Sequence, residues 1–404
     1  MWRRAVYPSP MRIGIYTEIY QPVLNGVVIS VESFREQLRA RGHEVYIFTP
    51  SYMQYADPSV LPFHSLPLPT RTPYRLATPF LKQGKIPRLD LIHAQTPFMT
   101  GLMAWKHARR ANIPLVFTYH TRLVDYYHYL PFSPPLSKGF LVWVSRTFGN
   151  MADRVVVPAT PIKALLESYG VHTPIDVVPT DVRLRPAPVE EGVRVRAALG
   201  IPPGHRVLLY VGRLAREKNL GLLLDAYAQA RTPDTHFVLV GDGPSREWLQ
   251  RQVEERGLTA TTHLVGAVEH AEIPAWYRAA DLFVFSSLTE TQGLVVEEAL
   301  QLGVPVLAVE AGGVIDAIGR WEGGCKVAPC DDADELTGRY AAALHDLLEH
   351  DGLIALRHAA ENNLRGHAAN DLSTRRLIKV YESAIDWLRQ SGRRGREKFQ
   401  LSQK

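Results

Sequence analysis

The chain contains very little cysteine. Only two of its 404 residues are cysteines, Cys325 and Cys330, and they lie close together late in the sequence. Two cysteines provide neither the disulfide framework of small secreted proteins nor a four-ligand zinc set. The composition therefore excludes both classes and favours a reducing, cytoplasmic location.

Long apolar runs are also missing. No window approaches the 18 uninterrupted apolar residues of a membrane-spanning helix, so we expect no span. Residues 1–10 are too short and too interrupted by proline for a secretory signal. We expect them to be either a dispensable extension or a misassigned start.

Composition and charge point to a globular protein of two parts. Hydrophobic residues make up 46% and charged residues 22%, which is ordinary for folded domains, and 404 residues exceed the usual size of one core. Residues 1–185 carry 21 basic and 11 acidic side chains, a net +10, whereas residues 186–388 carry 19 and 29, a net −10. A basic first half favours an anionic partner; the alternative is an incidentally biased solvated face. We favour a membrane over nucleic acid because no aromatic-rich RNA motif, zinc finger or helix-turn-helix is present.

Strand, loop and helix patterns alternate twice along the chain. In the first half, buried strands are predicted at residues 12–17, 44–48, 89–93, 115–118, 155–157 and 175–178, with helices at 27–41 and 98–111. In the second half, strands are predicted at residues 206–211, 236–240, 262–265, 282–285 and 304–308, with helices at 220–230 and 246–256. This alternation predicts an α/β protein with two doubly wound parallel sheets and ligands at the carboxyl ends of the strands. The predicted domains are residues 11–185 and 190–371, separated by a linker at 186–189, then a helix at 372–390 and a basic tail at 391–404.

Two glutamates eight positions apart provide the strongest functional clue. Glu290 lies in the loop after the strand 282–285, and Glu298 falls about a turn and a half into a helix that begins near Gly293. Backbone amides at a helix start can face a phosphate, and the two carboxylates can reach the two ends of an elongated polyol. A nucleotide-sugar is such a ligand. Glu297, on a neighbouring face, is interpreted as a solvated surface acid.

Two cations follow the strand 206–211. Arg213 and Lys218 lie on its loop, where they can clamp a diphosphate and stabilise it as it leaves. The alternative is that both are surface charges. Asp332 and Asp334 form a D-x-D sequence that we interpret as acids at a helix start.

The stretch from Ser287 to Ala299 resembles the E-x7-E motif of retaining glycosyltransferases of family 4, and Arg213 with Lys218 resembles their R-x4-K pair. The resemblance spans nearly the whole chain and implies the GT-B fold, two Rossmann-like domains with a cleft between them and a terminal helix that crosses back onto the first domain. It also implies roles for individual residues. Glu290 contacts the transferred sugar, Glu298 holds the ribose hydroxyls, the backbone of Gln292, Gly293 and Leu294 meets the diphosphate, and Val268 reads the base.

In the first half, Gly26 lies on the loop that approaches the diphosphate in this family. His120, in the run Thr118 to Thr121, resembles the family's strand-end histidine near the donor sugar. Asp125 to Tyr129 resembles the D-Y-x-H-Y sequence of lipid glucosyltransferases, as the run Thr289 to Leu294 resembles bacterial diacylglycerol glucosyltransferases. A lone histidine or glycine is otherwise an ordinary structural residue.

The resemblance implies transfer of a hexose, with UDP-glucose as donor, to a lipid such as 1,2-diacylglycerol, with retention of the α-configuration. It implies no tightly bound cofactor, no strict need for a metal and no nucleic-acid partner. The alternatives are a family 4 transferase with another acceptor, a nucleotide-sugar epimerase of the GT-B fold, and a non-enzymatic surface protein that binds nucleotide-sugar.

Attachment to the inner face of the cell membrane is expected from residues 132–148. This segment mixes aromatic, aliphatic and basic side chains, and its periodicity fits an interfacial helix and a core helix equally well. The basic run at residues 393–396 is expected to add an electrostatic contact or to be disordered. Asp181 stands where many relatives have a glycine-containing turn, which makes the acceptor less certain than the donor.

Overall fold

The computed structural model describes residues 10–23, 25–67, 75–81, 85–181, 184–349, 352–366 and 372–401, with side chains for all of these except 365, 366 and 391–401. Residues 1–9 of the predicted extension at 1–10 and the side chains of the basic tail lie outside the described residues. The chain divides into two units, Met1–Asp181 with Asn370–Lys404, and Val182–Ala369.

The strands, in chain order, are β1 (Arg12–Tyr16), β2 (Glu44–Pro50), β3 (Val60–Pro67), β4 (Arg75–Leu81), β5 (Leu91–Ala94), β6 (Leu115–Thr118), β7 (Arg154–Val157), β8 (Ile175–Val177), β9 (Arg206–Val211), β10 (Thr235–Val240), β11 (Thr262–Gly266), β12 (Leu282–Phe285), β13 (Val306–Val309) and β14 (Gly324–Val327). The helices are α1 (Gly26–Arg39), α2 (Met99–Ala111), α3 (Pro134–Met151), α4 (Thr160–Ser168), α5 (Val189–Ala198), α6 (Leu220–Ala230), α7 (Arg246–Glu255), α8 (Ile273–Ala279), α9 (Leu294–Gln301), α10 (Val314–Arg320), α11 (Ala333–Glu349), α12 (Gly352–Gly366) and α13 (Leu372–Leu401).

The first unit is built on an eight-stranded sheet in the order β4-β3-β2-β1-β5-β6-β7-β8. Its strands are parallel except at the β3–β4 pair, which is antiparallel. The strand order changes direction between β1 and β5, and ligands of open α/β sheets bind at the carboxyl ends of strands flanking such a point. The predicted helix at residues 98–111 forms as α2 and ends at Asn112, whose φ of 53° terminates it in the left-handed conformation.

The last helix, α13, packs on the sheet of the first unit. Tyr381 is fully buried among residues of this unit, and its hydroxyl lies 2.8 Å from Nδ1 of His93. The other ring nitrogen of His93 lies 2.6 Å from Oγ1 of Thr118 on β6. Ser373, at the start of α13, donates to Asp181 at 2.6 Å. Asp181, which stands where many relatives have a glycine-containing turn, therefore stabilises the position of this helix.

The second unit contains a parallel six-stranded sheet in the order β11-β10-β9-β12-β13-β14. Its central strands β9, β12 and β13 are almost entirely apolar and buried, as expected for strands with both faces covered. The strand order changes direction between β9 and β12. The predicted doubly wound α/β architecture is therefore confirmed for both sheets.

Three strands were not predicted. β3 and the edge strand β4 include Pro62, Pro67 and Pro79, which weaken a strand pattern. β14 is an edge strand of the six-stranded sheet and contains Gly324 and Lys326, so its sequence has little of the apolar pattern of a strand. The predicted linker at residues 186–189 is irregular only until Val189, where α5 begins.

Candidate functional site

The switch point of the second sheet brings the predicted cations and the first glutamate together. Arg213 and Lys218 follow β9, and Glu290 follows the neighbouring strand β12. Nζ of Lys218 and Oε1 of Glu290 form an ion pair that is mostly shielded from solvent. Burial acts to lower the pKa of Lys218, but the charges of nearby groups, Glu290 foremost, raise it by more, so the ammonium stays protonated.

Hydrogen bonds join the two loops that carry this pair. The hydroxyl of Ser286 donates to the carbonyl oxygens of Lys218 and Asn219 at 3.0 and 2.9 Å. Asn219 adopts a left-handed conformation, with a φ of 53°, and thereby turns the chain into α6. The separation of Lys218 and Glu290 is consequently set by backbone as well as by their charges.

Arg213 differs from Lys218 in being accessible. Its side chain is 45% exposed, and its Nη1 lies 4.0 Å from Oε1 of Glu217, a side chain that is only 2% exposed. The second oxygen of Glu217 is buried and has no hydrogen-bond partner among the described residues. This geometry leaves a guanidinium at the switch point that an incoming anion can reach.

Gly293 shapes the turn between Glu290 and α9. Its φ of 75° is disfavoured for residues with a side chain, and α9 begins at the next residue, Leu294. The side chain of Gln292 points inward and donates to Glu297 at 2.6 Å. The backbone of Gln292, Gly293 and Leu294 thus leads into the first turn of α9.

The interpretation of Glu297 as a solvated acid is wrong. The residue is 2% exposed, and it pairs with Arg320 of α10 as well as accepting from Gln292. Because one helical residue advances the side chain by about 100°, the neighbour Glu298 points elsewhere. Glu297 therefore holds the loop in shape.

A second loop closes against Glu290 through glycines. The amide of Gly313 donates to the carbonyl of Glu290 at 2.9 Å. A Cβ added to Gly312 would lie 2.3 Å from that carbonyl oxygen, and one added to Gly313 would lie 2.2 Å from the carbonyl oxygen of Thr291. Only glycine permits this approach, so the pair fixes the backbone next to Glu290.

Glu298 is buried beside a tyrosine. It is 3% exposed, and the hydroxyl of Tyr277 donates to its Oε2 at 2.9 Å. Burial raises the pKa of Glu298 to about 7; the hydrogen bond from Tyr277 opposes this effect and the charge of Glu297 adds to it. A carboxylate with a pKa near neutrality is able to change its charge under ordinary conditions.

The remaining predicted residue of this unit, Val268, follows β11 and packs partly buried against the core. Between it and Arg213 lies the turn Gly241–Gly243. A Cβ on Gly241 would lie 1.9 Å from the carbonyl oxygen of Gly212, which explains why both strand ends carry glycine. The carboxyl ends of β9, β10, β11 and β12 thus all contribute residues to one edge of the sheet.

In the first unit, His120 follows β6 and lies next to the switch point. Its Nε2 is 2.6 Å from Oε1 of Gln95, the residue that follows β5. Because an amide oxygen only accepts, Nε2 carries the proton and Nδ1 is the basic nitrogen. Burial lowers the pKa of His120 to about 4, so the ring is neutral at pH 7. Gly26 is the first residue of α1, which Asn25 caps by accepting from the amide of Val28 at 3.0 Å.

Sequence reasoning missed Gln95, Tyr277 and the Gly312–Gly313 pair. Two adjacent glycines a few residues after a predicted strand are a detectable signal of close backbone approach. Tyr277 and Gln95 offer no such signal, because each is defined by the side chain it meets across a different element. Asp332 accepts from the amides of Asp334 and Glu335 at 2.9 Å, which confirms its interpretation as a helix-start acid.

An exposed apolar face runs along α3. Its side chains at Leu136, Phe140 and Trp143 recur at helical spacing, and the first and last are 67% and 58% exposed. The opposite face, including Leu141 and Phe148, is buried in the core of the first unit. The segment at residues 132–148 is therefore a core helix on one side and an apolar surface on the other. None of the helices within the described ranges has both the length and the apolar run needed to cross a membrane.

Comparisons with known proteins agree with this arrangement. Residues 194–365 match the family model of glycosyl transferases group 1, and residues 24–184 match that of glycosyltransferase family 4. The alpha-monoglucosyldiacylglycerol synthase of Streptococcus pneumoniae is 33% identical over 74% of this chain and 71% of its own length. The synthase of the same name from Acholeplasma laidlawii is 31% identical over 74% of this chain and 80% of its own length. A GDP-mannose-dependent alpha-mannosyltransferase of Corynebacterium glutamicum is 29% identical over 76% and 75%.

Solved structures share the fold. HepE of Anabaena in complex with UDP-glucose aligns with a TM-score of 0.68 at 20% identity, covering 94% of this chain and 100% of that one. Sucrose-phosphate synthase from Thermosynechococcus elongatus aligns with a TM-score of 0.67 at 23% identity, covering 95% and 98%. The fold is GT-B, and the chain is a hexosyltransferase that belongs to the family 4 glycosyltransferases.

Proposed function

We propose that the protein transfers glucose from UDP-glucose to 1,2-diacylglycerol at the inner surface of the cell membrane, forming an α-glycosyl glycolipid. The observation that carries this proposal is the Lys218–Glu290 pair at the switch point, with Glu298 buried on the adjoining helix. A cation suits the diphosphate of a nucleotide-sugar, and carboxylates suit its hydroxyl groups. The lipid acceptor is supported by the two relatives named as alpha-monoglucosyldiacylglycerol synthases.

In the second unit, Arg213 and Lys218 are proposed to hold the diphosphate. Lys218 supplies a fixed, protonated ammonium, and Arg213 supplies an exposed guanidinium that closes on the phosphate when the donor binds. The amides of Gln292, Gly293 and Leu294 add neutral donors at the start of α9. The positive groups thus surround the atoms that gain negative charge.

The other contacts fix the two ends of the donor. Glu298 is proposed to accept hydrogen bonds from the ribose hydroxyls, with Tyr277 holding the carboxylate, and Val268 to contact the base through its backbone. Glu290 is proposed to orient the sugar. In the first unit, the family resemblance assigns His120 to the transferred sugar and Gly26 to the loop that approaches the diphosphate.

The proposed reaction breaks one bond and forms one. The bond from the anomeric carbon to the diphosphate oxygen breaks with its electron pair on oxygen, and the acceptor hydroxyl oxygen bonds to the same face of that carbon, which retains the α-configuration. The hydroxyl proton passes to the departing phosphate oxygen. Lys218 and Arg213 stabilise the charge on that oxygen, which is the interaction that grows in the transition state. No metal and no tightly bound cofactor enter this proposal.

We propose that the apolar face of α3 contacts the membrane that contains the acceptor. Phe132 and Tyr129 extend the exposed apolar surface of Leu136, Phe140 and Trp143. Exposed aromatic side chains beside basic residues are typical of interfacial binding, and residues 1–185 carry a net charge of +10. This surface and the charge together favour an anionic bilayer as the partner.

GDP-mannose is the second candidate donor, because relatives at about 30% identity are named as GDP-mannose-dependent mannosyltransferases. The deciding experiment incubates the protein with diacylglycerol vesicles and a panel of UDP- and GDP-sugars and detects glycosylated lipid by mass spectrometry. We expect a hexosyl-lipid from UDP-glucose. Formation of mannosyl-lipid from GDP-mannose alone would change the donor, and donor turnover without lipid product would favour another acceptor or an epimerase.

Matched variants make this experiment specific. Glu290→Gln should abolish the product, whereas Glu247→Gln, an exposed acid on α7, should retain it. Phe140→Ser with Trp143→Ser should reduce sedimentation with vesicles, whereas Leu102→Ser, an exposed apolar residue of α2, should not. UDP affinity should be unchanged in both serine variants, the Phe140 and Trp143 double variant and Leu102→Ser. Equal sedimentation of the α3 and α2 variants would contradict the membrane surface on α3.

A further inference from the structure

A cavity of about 400 Å³ lies in the second unit at the edge of the sheet opposite to the donor residues. Its walls include the residues that precede β9 and β12, namely His205 and Asp281, together with Arg206 at the start of β9. Arg213 and Glu290 follow the carboxyl ends of the same two strands. Since β9 has six residues, the two sites are separated by roughly 20 Å of strand.

Three arginines and one histidine line this cavity. Arg196 comes from α5, Arg206 from β9 and Arg357 from α12, and among the described residues they outnumber the two acids that line the cavity, Asp281 and Glu349. Such a concentration of guanidinium groups is characteristic of sites that recognise oxyanions.

The first acid, Asp281, is already neutralised. Its Oδ2 accepts from Arg196 at 2.6 Å and from the amide of Val207 at 2.7 Å, and its Oδ1 accepts from Arg357 at 3.0 Å. Arg196 is also fully engaged, because its remaining nitrogens donate to the carbonyl oxygens of Ala279 and His205 at 2.8 Å. These groups form the fixed frame of the cavity.

Several donors in the cavity remain unused. Arg357 makes its hydrogen bonds through Nη2, and Arg206 makes one through Nη1 to the carbonyl of Leu348. The other guanidinium nitrogens of both residues have no hydrogen-bond partner within the described ranges. The same holds for Nε2 of His205, whose Nδ1 lies 3.0 Å from Nε2 of His236.

We propose that this cavity binds the phosphate group of a phosphate ester. Arg206 and Arg357 would hold the phosphate oxygens through their unused nitrogens, as planar guanidinium groups do in bidentate recognition. Leu353 and Ile354 form an apolar wall for the organic part, and about 400 Å³ lies within the range of small-molecule sites. The site is separate from the donor site and does not depend on the proposed reaction.

The test measures binding of inorganic phosphate and of glycerol 3-phosphate by calorimetry, with saturating UDP present so that the diphosphate site is occupied. We expect millimolar or tighter binding to the full chain. Arg206→Gln and Arg357→Gln should each weaken it at least fivefold. Glu349→Gln, which removes a negative charge from the same cavity, should tighten it about twofold, and Arg251→Gln, an exposed residue of α7, should change nothing.

The arginine variants should bind phosphate more weakly, whereas Glu349→Gln should bind it more tightly. An increase in affinity cannot result from unfolding. Arg206→Gln loses a single hydrogen bond and keeps the test valid if Arg357→Gln proves unstable. Unchanged affinity in the Arg206 variant, or loss of all phosphate binding when UDP is present, would overturn the proposal. Sedimentation of the Arg357 variant with phosphatidylglycerol vesicles identifies the source: reduced sedimentation assigns the phosphate to a lipid headgroup, and unchanged sedimentation to a soluble ester.

Discussion

Replacing Glu298 by glutamine keeps the shape of a buried side chain and removes its charge. We expect the variant to be more stable than the wild type but to bind UDP more weakly. The pKa of Glu298 is raised to about 7 from an ordinary value of 4.5, chiefly by burial. The native state therefore binds the proton more tightly than the unfolded state does. Stability associated with this residue is present below pH 4.5 and is lost as pH rises to about 7.

The magnitude follows from the pKa. Each pKa unit corresponds to about 1.4 kcal/mol, so the ionised carboxylate costs the native second unit about 3 kcal/mol above pH 7. Glutamine cannot ionise and still accepts from Tyr277. Glu298→Gln should therefore be about 3 kcal/mol more stable than the wild type at pH 8 and nearly equal to it at pH 4. For a unit of this size, each kcal/mol raises Tm by about 2–4 °C.

The affinity for UDP, in contrast to stability, should be lower in Glu298→Gln than in the wild type. If the ionised carboxylate accepts from the ribose hydroxyls, its loss should weaken UDP binding roughly 10–100-fold, the usual worth of one charge-assisted hydrogen bond or two. In the wild type, donor affinity should rise with pH through about 7, because binding favours the ionised form.

Two assays check this reasoning. Denaturant unfolding at pH 4 and pH 8 measures the stability difference, and calorimetry with UDP measures the affinity. Glu297→Gln is the matched control: it disrupts the pair with Arg320 and should destabilise the unit at pH 8. A stability difference for Glu298→Gln that is independent of pH would refute the argument from burial.

Three further predictions concern Lys218, Tyr381 and His236. Lys218→Met should lower kcat by about 10²–10³-fold. In a double-mutant cycle, the effects of Lys218→Met and Glu290→Gln on kcat should be non-additive because the residues form one ion pair. Additive effects would contradict a shared role. Tyr381→Phe leaves Nδ1 of buried His93 without its partner and should destabilise the first unit by about 1–3 kcal/mol in denaturant titrations, with UDP affinity unchanged. Burial, and then the charges of neighbouring basic groups, lowers the pKa of His236, so the stability of the second unit should fall as the pH drops below about 6.5. His236→Asn should make Tm depend less on pH in this range. An unchanged dependence of Tm on pH would show that other groups cause it.

The parts of the fold that were predictable are those in which local pattern and tertiary setting agree. β6, β9 and β12 are unbroken apolar runs buried on both faces, and they form with the predicted bounds. The edge strands β4 and β14, and β3 beside β4, are stabilised mainly by pairing with their neighbours, so their own sequences contain too little signal. Prolines in β3 and β4 add a pattern that argues against a strand.

The candidate site divides along the same line. Arg213, Lys218, Glu290 and Glu298 were predicted as site residues from their position after predicted strands and from the family resemblance, and strand-loop-helix units do place such residues at one sheet edge. Their partners were not, since Tyr277 is 21 positions from Glu298 and lies on another helix. Spacing within one unit is a local property of the chain, whereas hydrogen bonds between elements require the packing of the whole unit.

Glu297 and Glu298 show how far environment, rather than residue type, decides a role. Both are buried and adjacent on α9, but Glu297 meets a cation and an amide donor while Glu298 meets a phenol. A buried carboxylate paired with arginine is compensated, and one paired with tyrosine is compensated only in part. The second glutamate therefore retains an unsatisfied demand for hydrogen-bond donors, which two ribose hydroxyls would meet. On this reasoning the ionised carboxylate of Glu298 destabilises the protein without donor, and hydrogen bonds from the bound donor offset that cost. UDP should therefore stabilise the second unit more at pH 8 than at pH 6. Equal stabilisation at both pH values would argue against that role.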